Sequence, residues 1–253
     1  MVIGPDQAAV VVGQSDSVNS GAFFVRFTVG GKQPQVQFAG GMRRWRKVRN
    51  NPAGGFLVVG DTAPATLQAG FGGSAAVFKL DATGKYAGHA YADAKPGVKA
   101  PDRWQALEVG STTAAVAGTR VRQGTADNGV YFAHYALSNL AAQHTTLWEP
   151  PGVDGYSWID LNGSAMLKSD AMMTMVTVTT RAATTVYLVN VAADGGISAT
   201  SIWRLGGNDF TTHGDAAQFR LIADPAGGFD LLLQSGRIRN YNSSGVLQRF
   251  SMG

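Results

Sequence analysis

With 253 residues the chain can bury a substantial core without cross-links, and the absence of cysteine removes disulfide frameworks, thiolate metal sites and cysteine nucleophiles together. Charged residues are only 15% of the chain and apolar ones 45%; an average domain has about 25% charged residues, and here Gly, Ser, Thr, Asn and Gln make up the difference, a composition of strands and turns. The net charge of +4 reflects scarce acids, among which only two are glutamates, so the surface mildly favours anionic partners.

The opening stretch, MVIGPDQAAVVVG, has no basic start followed by a long apolar core and a small-residue cleavage site, so no secretory signal is expected, and no apolar run approaches the roughly 20 residues of a membrane helix. A first unit, residues 1–40, reads GPDQ, AAVVVGQS, GAFFVRFTVGG, QVQFAGG and lacks most of an opening strand. The second, 41–93, reads RWRKVRNNPAGG, FLVVGDT, SAAVFKLDATGK, YAGHAYAD. The third, 94–150, reads RWQALEVGST, TAAVAGT, GVYFAHYALSN, TTLWEP. The fourth, 151–206, reads YSWIDLNGSAMLKSD, MMTMVTVTT, TTVYLVNVAADGG, TSIWRLGG, and the fifth, 207–253, reads QFRLIADPAGG, FDLLLQS, GRIRNYNSSG, VLQRFS. Within the units the strands alternate with period two, as in Phe23, Val25 and Phe27 against Phe24 and Arg26, and turn residues follow, as in Asp81-Ala82-Thr83-Gly84, Asp194-Gly195-Gly196 and Asn242-Ser243-Ser244-Gly245. No long apolar stripe of helical period appears, so helices should be scarce.

The unit is a repeat. PAGGF stands at Pro52–Phe56 and again at Pro225–Phe229, 173 residues apart, which is three periods of about 58. Phe38, Tyr91, Trp148, Trp203 and Phe250 mark the fourth strand of each unit, and Trp45, Trp104, Trp158 and Phe219 the first strand of all but the clipped one. Four short strands in each unit of 45 to 60 residues is the arithmetic of a β-propeller, so the expected fold is all-β: one domain, a five-bladed propeller of four-stranded antiparallel blades, the first with a truncated inner strand. A short strand at Val2-Ile3, upstream residues or another chain would complete that blade. NNPAGGFLVVGDT followed by AAVFKLDATGK resembles the bacterial and phage-associated propeller repeats in which a Gly-Gly-aromatic strand precedes an apolar strand ending in Lys-Leu-Asp and a Gly turn. The resemblance is best in residues 43 to 93, and it implies the fold and a surface or binding module rather than a specific activity.

The sharpest charge feature is Arg43-Arg44-Trp45-Arg46-Lys47-Val48-Arg49. Strict alternation places Arg44, Arg46 and Val48 on one face and Arg43, Trp45, Lys47 and Arg49 on the other. Cations around an indole suit phosphate, sulfate or carboxylate groups; the alternative is a solvated run, or one paired with the few acids. Trp104 and Trp158 either pack between blades or offer a face to a sugar ring, and the fourth-strand aromatics are expected to seal neighbouring blades. Long segments at 61–71 and 119–127, the latter holding Arg120 and Arg122, make an uneven rim. Arg26, Lys79, His134, Asn190 and Asn240 share one place on the third strands and are expected to be exposed. Asp102, Asp160 and Asp215 are the nearest carboxylates for a glycosidase pair but share no register, and the histidines lack metal-site spacing. Asp16–Gly21 and Asp160–Gly163 hint at calcium loops, for which turn chemistry is the simpler reading. No catalytic residue, metal or cofactor is therefore assigned. The expected function is a non-catalytic binding or structural module for a glycan or another protein, on a cell surface, secreted, on a virion or within a larger assembly, without membrane insertion. The alternatives are a five-bladed glycoside hydrolase or lyase, and polyanion or nucleic-acid binding through residues 43 to 49.

Overall fold

Short runs of alternating apolar residues closed by tight turns can pair only with their chain neighbours, and they do. The computed structural model describes residues 1–4, 7–14, 21–28, 34–39, 42–62, 75–92, 103–120, 129–154, 157–206, 220–224, 228–232, 237–241 and 247–252. Every regular element among them is a strand. The first sheet has β1 (Val2–Ile3), β2 (Ala9–Gln14), β3 (Ala22–Phe27) and β4 (Gln35–Ala39); the second has β5 (Met42–Asn50), β6 (Phe56–Thr62), β7 (Ala75–Leu80) and β8 (Tyr86–Tyr91). The third is built from β9 (Arg103–Val109), β10 (Thr113–Arg120), β11 (Gly129–Ala136) and β12 (Ala142–Trp148), and the fourth from β13 (Trp158–Met166), β14 (Met172–Thr179), β15 (Ala183–Val191) and β16 (Ile197–Gly206). The fifth has β17 (Arg220–Ala223), β18 (Phe229–Leu232), β19 (Arg237–Tyr241) and β20 (Leu247–Met252). In each sheet the strands lie in sequence order, the four-stranded meander of a propeller blade. The truncated opening strand is β1, which holds two rungs to β2, Val2 opposite Val10 and Ile3 opposite Ala9.

One turn recurs through the chain. In the first PAGG motif the Asn51 N–H donates to the Gly55 carbonyl (3.0 Å) and the Gly54 N–H to the Asn51 carbonyl (2.8 Å). The same pair of bonds closes Gly4 to Ala8, Asp81 to Lys85, Leu167 to Ala171 and Ala192 to Gly196, and Asp224 donates to Gly228 across the second PAGG. The fourth residue of this turn needs a left-handed backbone, supplied by Gly54 (φ 101°), Gly84 (88°) and Gly195 (88°), but also by Gln7 (60°) and Asp170 (57°).

The chain divides into two compact units, Met1–Gly118 with Tyr135–Gln143, and Thr119–His134 with His144–Gly253. In the first, Val10, Phe24, Trp45, Val58 and Phe78 form one core in which the second sheet buries a face on the first. Phe24 packs on Phe56 with ring centroids 5.6 Å apart. In the second unit Met173, Met175 and Leu188 of the fourth sheet pack on Leu221, Phe229 and Leu231 of the fifth. On β6, β7 and β18 these faces supply alternate residues, as in Phe56 and Val58, Ala76, Phe78 and Leu80, and Phe229 and Leu231, the burial that stacked sheets require.

Candidate functional site

The basic run is interrupted by a bulge that alternation alone does not foresee. Trp45 pairs with Gly60 and Lys47 with Val59, so Arg46 is an extra residue in β5. Beyond it the faces are exchanged: Trp45 now shares the buried face with Val48, and Arg44, Lys47 and Arg49 share the opposite one. The predicted grouping of Trp45 with Lys47 and Arg49 is therefore corrected. Gly60 permits the bulge, since a Cβ there would lie 1.9 Å from the Arg44 carbonyl oxygen.

Three of the cations are engaged by acids. Arg49 grips Glu108 of β9 with two nitrogens, Nε to Oε2 at 3.1 Å and Nη2 to Oε1 at 2.9 Å, and Lys47 Nζ donates to Oε1 at 3.1 Å. Glu108 is 4% exposed. Burial pushes the Lys47 ammonium below the usual lysine range, Glu108 pulls it back up and Arg49 adds to the fall. Arg46 reaches Asp61 at 3.4 Å. Arg46, Lys47 and Arg49 thus pair with acids, two of the three with Glu108. The side chains of Arg43 and Arg120, and all of Arg122, lie outside the described residues.

The fourth sheet repeats this bulge with different chemistry. In β13, Leu161 pairs with Val176 and Gly163 with Met175, leaving Asn162 as the extra residue. Counted from the turn, Asn162 corresponds to Arg46 and Thr177 to Asp61. Asn162 Nδ2 donates to Thr177 Oγ1 at 2.6 Å, the same bond that Arg46 makes to Asp61. The residue matching Trp45 is thus Leu161, and Trp158 stands three rungs beyond it, so the first-strand aromatics do not share one register. Trp45 and Trp104 are buried, 6% and 0% exposed, whereas Trp158 is 51% exposed.

Trp158 heads a polar extension of the apolar seam on the fifth sheet. Trp158 opposes Thr179 and Asp160 opposes Thr177, on the face that carries Met173 and Met175 further along. The indole N–H donates to Asp160 Oδ2 at 2.8 Å, and Thr179 and Thr184 share a hydroxyl bond of 3.2 Å. An exposed indole held by a carboxylate, beside an amide and buried hydroxyls, can stack on a ring and bond to its substituents. Asp160–Gly163 accordingly lies in a bulged strand rather than in a turn or calcium loop. Asp102, Asp215, Phe219, Asp16–Ser20 and most of the two rim segments lie outside the described residues.

Among the fourth-strand aromatics, Trp148 crosses Tyr187 edge to face at 5.2 Å and Trp203 packs against the core of the second unit, as packing residues should. Tyr91 does not: it is 47% exposed. The side chains of Phe38 and Phe250 lie outside the described residues. Lys79 and Asn190 hold equivalent rungs, opposite Leu57 and Met173, but His134 departs from the expected exposure at 1%. Neither of its ring nitrogens has a well-formed hydrogen bond among the described residues. Desolvation holds its imidazole below the usual range; the Asp170 main chain and carboxylate oppose that, and His144 adds to it.

One cluster was not foreseen. On β8 the exposed rings of Tyr86, His89 and Tyr91 adjoin, with His89 hydrogen-bonded to the Tyr86 hydroxyl and crossing Tyr91 at 4.5 Å and 71°. A register shift gathers them: Tyr86, His89 and Tyr91 oppose Leu80, Phe78 and Ala76, all on one face. The signal was the spacing in YAGHAY, where Gly88 takes φ 153°.

No family model and no curated protein matches the sequence. Among solved structures, the chain is similar to the Pyrococcus horikoshii acylaminoacyl peptidase at 11% identity and a TM-score of 0.44, over 99% of this chain and 45% of that one. It is similar to the exotype rhamnogalacturonan lyase YesX at 10% identity and a TM-score of 0.37, over 94% of this chain and 53% of that one. The chain thus spans about half the length of each.

Proposed function

We propose that the chain is a non-catalytic binding module that takes a carbohydrate at Trp158. The observation that carries the reading is the half-exposed indole whose N–H is fixed by Asp160. A pyranose ring would lie on the indole face, and its hydroxyls would bond to the Asp160 carboxylate and the Asn162 amide, groups that accept and donate respectively. Because the indole is already oriented, little side-chain freedom is lost on binding. Polyanion binding through residues 43 to 49 draws less support, since Arg46, Lys47 and Arg49 already bond to acids.

The test is a screen of neutral oligosaccharides followed by titration of tryptophan fluorescence. Trp158→Ala is expected to weaken binding by about tenfold or more, and Asp160→Asn by less, with unchanged melting temperatures. Absence of any oligosaccharide ligand, or turnover of a glycoside by the wild-type chain, overturns the reading.

A further inference from the structure

We propose that Tyr86, His89 and Tyr91 form a docking strip for an extended proline-rich peptide, a surface independent of the Trp158 site. Tyr86 and Tyr91 are 50% and 47% exposed, too open to serve the core alone. The rings are nonetheless ordered: His89 bonds to Tyr86, crosses Tyr91 edge to face, and rests 6.2 Å from the buried ring of Phe78. Prior ordering lowers the entropic cost of docking, which makes an exposed aromatic cluster an effective anchor.

The shape of the strip selects the ligand. A flat sugar needs a flat ring face, whereas His89 meets Tyr91 at 71° and Tyr86 at 37°, so the three rings wall a notched surface. Pyrrolidine rings fit such notches, and aromatic-lined surfaces are the usual receptors for polyproline segments. Addition of a β-strand to the edge of β8 is disfavoured, because the register shift opposite Lys79 and Leu80 and the unusual backbone of Gly88 break the regular ladder. A polyproline helix needs no such ladder, since its backbone stays solvated. The lengths also agree. Tyr86 to Tyr91 spans four regular steps once the bulged residue is discounted, about 13 Å at ~3.3 Å per residue, and a polyproline helix covers that in about four residues at ~3.1 Å each. The Tyr91 hydroxyl can donate to a peptide carbonyl.

The experiment titrates the full chain with an oligoproline peptide, a Gly-Ser peptide of equal length and a neutral oligosaccharide, following tyrosine-region heteronuclear shifts or calorimetry. Saturable binding of oligoproline but not of the Gly-Ser peptide is expected, weakened about tenfold or more by Tyr91→Ala and by Tyr86→Ala, and unaltered by Trp158→Ala. Melting temperatures of both tyrosine variants should match wild type, so that either one suffices if the other is destabilised. The proposal is overturned if oligoproline does not bind, if both tyrosine variants bind it normally, or if they lose the oligosaccharide instead. Failure here leaves the Trp158 reading intact, because that is read by Trp158→Ala on a different ligand.

Discussion

Replacing Glu108 by glutamine keeps its shape and removes its charge, leaving Lys47 and Arg49 facing a neutral amide. Breaking a fully buried ion pair costs about 3–5 kcal/mol, but the Lys47 and Arg49 side chains are 27% and 30% exposed and can turn partly to water. The expected loss is therefore about 2–3 kcal/mol, or a fall in melting temperature of about 4–10 °C for a chain of this size. Urea unfolding at pH 7 of wild type, Glu108→Gln, Lys47→Met and the double variant measures it. Lys47→Met alone should cost under ~1 kcal/mol, since Arg49 retains its two-pronged grip. The double variant should recover roughly 1 kcal/mol relative to Glu108→Gln, because one stranded cation has gone. A Glu108→Gln loss below ~0.5 kcal/mol with no coupling to Lys47 would refute the claim that this carboxylate neutralises the basic strand.

Lys47 also gives an alkaline signature. Its folded pKa lies below the usual 10.5, so between the two values the unfolded chain holds a proton that the folded chain has released, and stability from this group rises with pH there; Lys47→Met should flatten that rise in pH-dependent urea melts. His134 acts at the other end: folded pKa below 6.5 means stability falls as pH drops from about that value toward the folded pKa, by at most ~1.4 kcal/mol per unit, and His134→Asn should remove the fall. Gly55→Ala would set a Cβ 2.1 Å from the Leu80 carbonyl at φ 74° and should cost about 3 kcal/mol or more, against about 1–2 for Gly54→Ala, which meets nothing; equal losses in thermal melts would count against the turn geometry. Gln7→Gly should stabilise by roughly 0.5 kcal/mol, relief of the left-handed backbone outweighing the entropy of glycine.

The blades were legible because each level of the sequence agreed: strand period, turn glycines and aromatic markers pointed to the same unit. The turn was readable where PAGG spelled it out. In the fourth sheet the same turn is written Leu-Lys-Ser-Asp-Ala and carries no glycine, because Asp170 adopts by constraint the backbone that Gly54 adopts freely. The sites were read less well for one reason, which is that period two assumes an unbroken ladder. Extra residues at Arg46, Asn162 and within Tyr86–Gly88 each reset which side chains share a face. Trp45 moved into the core, Trp158 left the register assigned to it, and three aromatic residues spaced unevenly in β8 came to lie together. The glycines nearby, Gly60, Gly163 and Gly88, were the available hints, since a missing side chain in a strand marks a bulge or a close approach.

The shared bulge makes the inner strand of these blades an exchangeable position. Arg46 with Asp61 and Asn162 with Thr177 are two spellings of one donor and acceptor, one charged and one neutral, held in the same place by the same backbone. The scaffold thereby separates what shapes the strand from what the strand displays, so polarity can be rewritten two residues at a time while the turn, ladder and seam remain as they are. A designer can use it by moving Asn and Thr into the second blade, or Arg and Asp into the fourth.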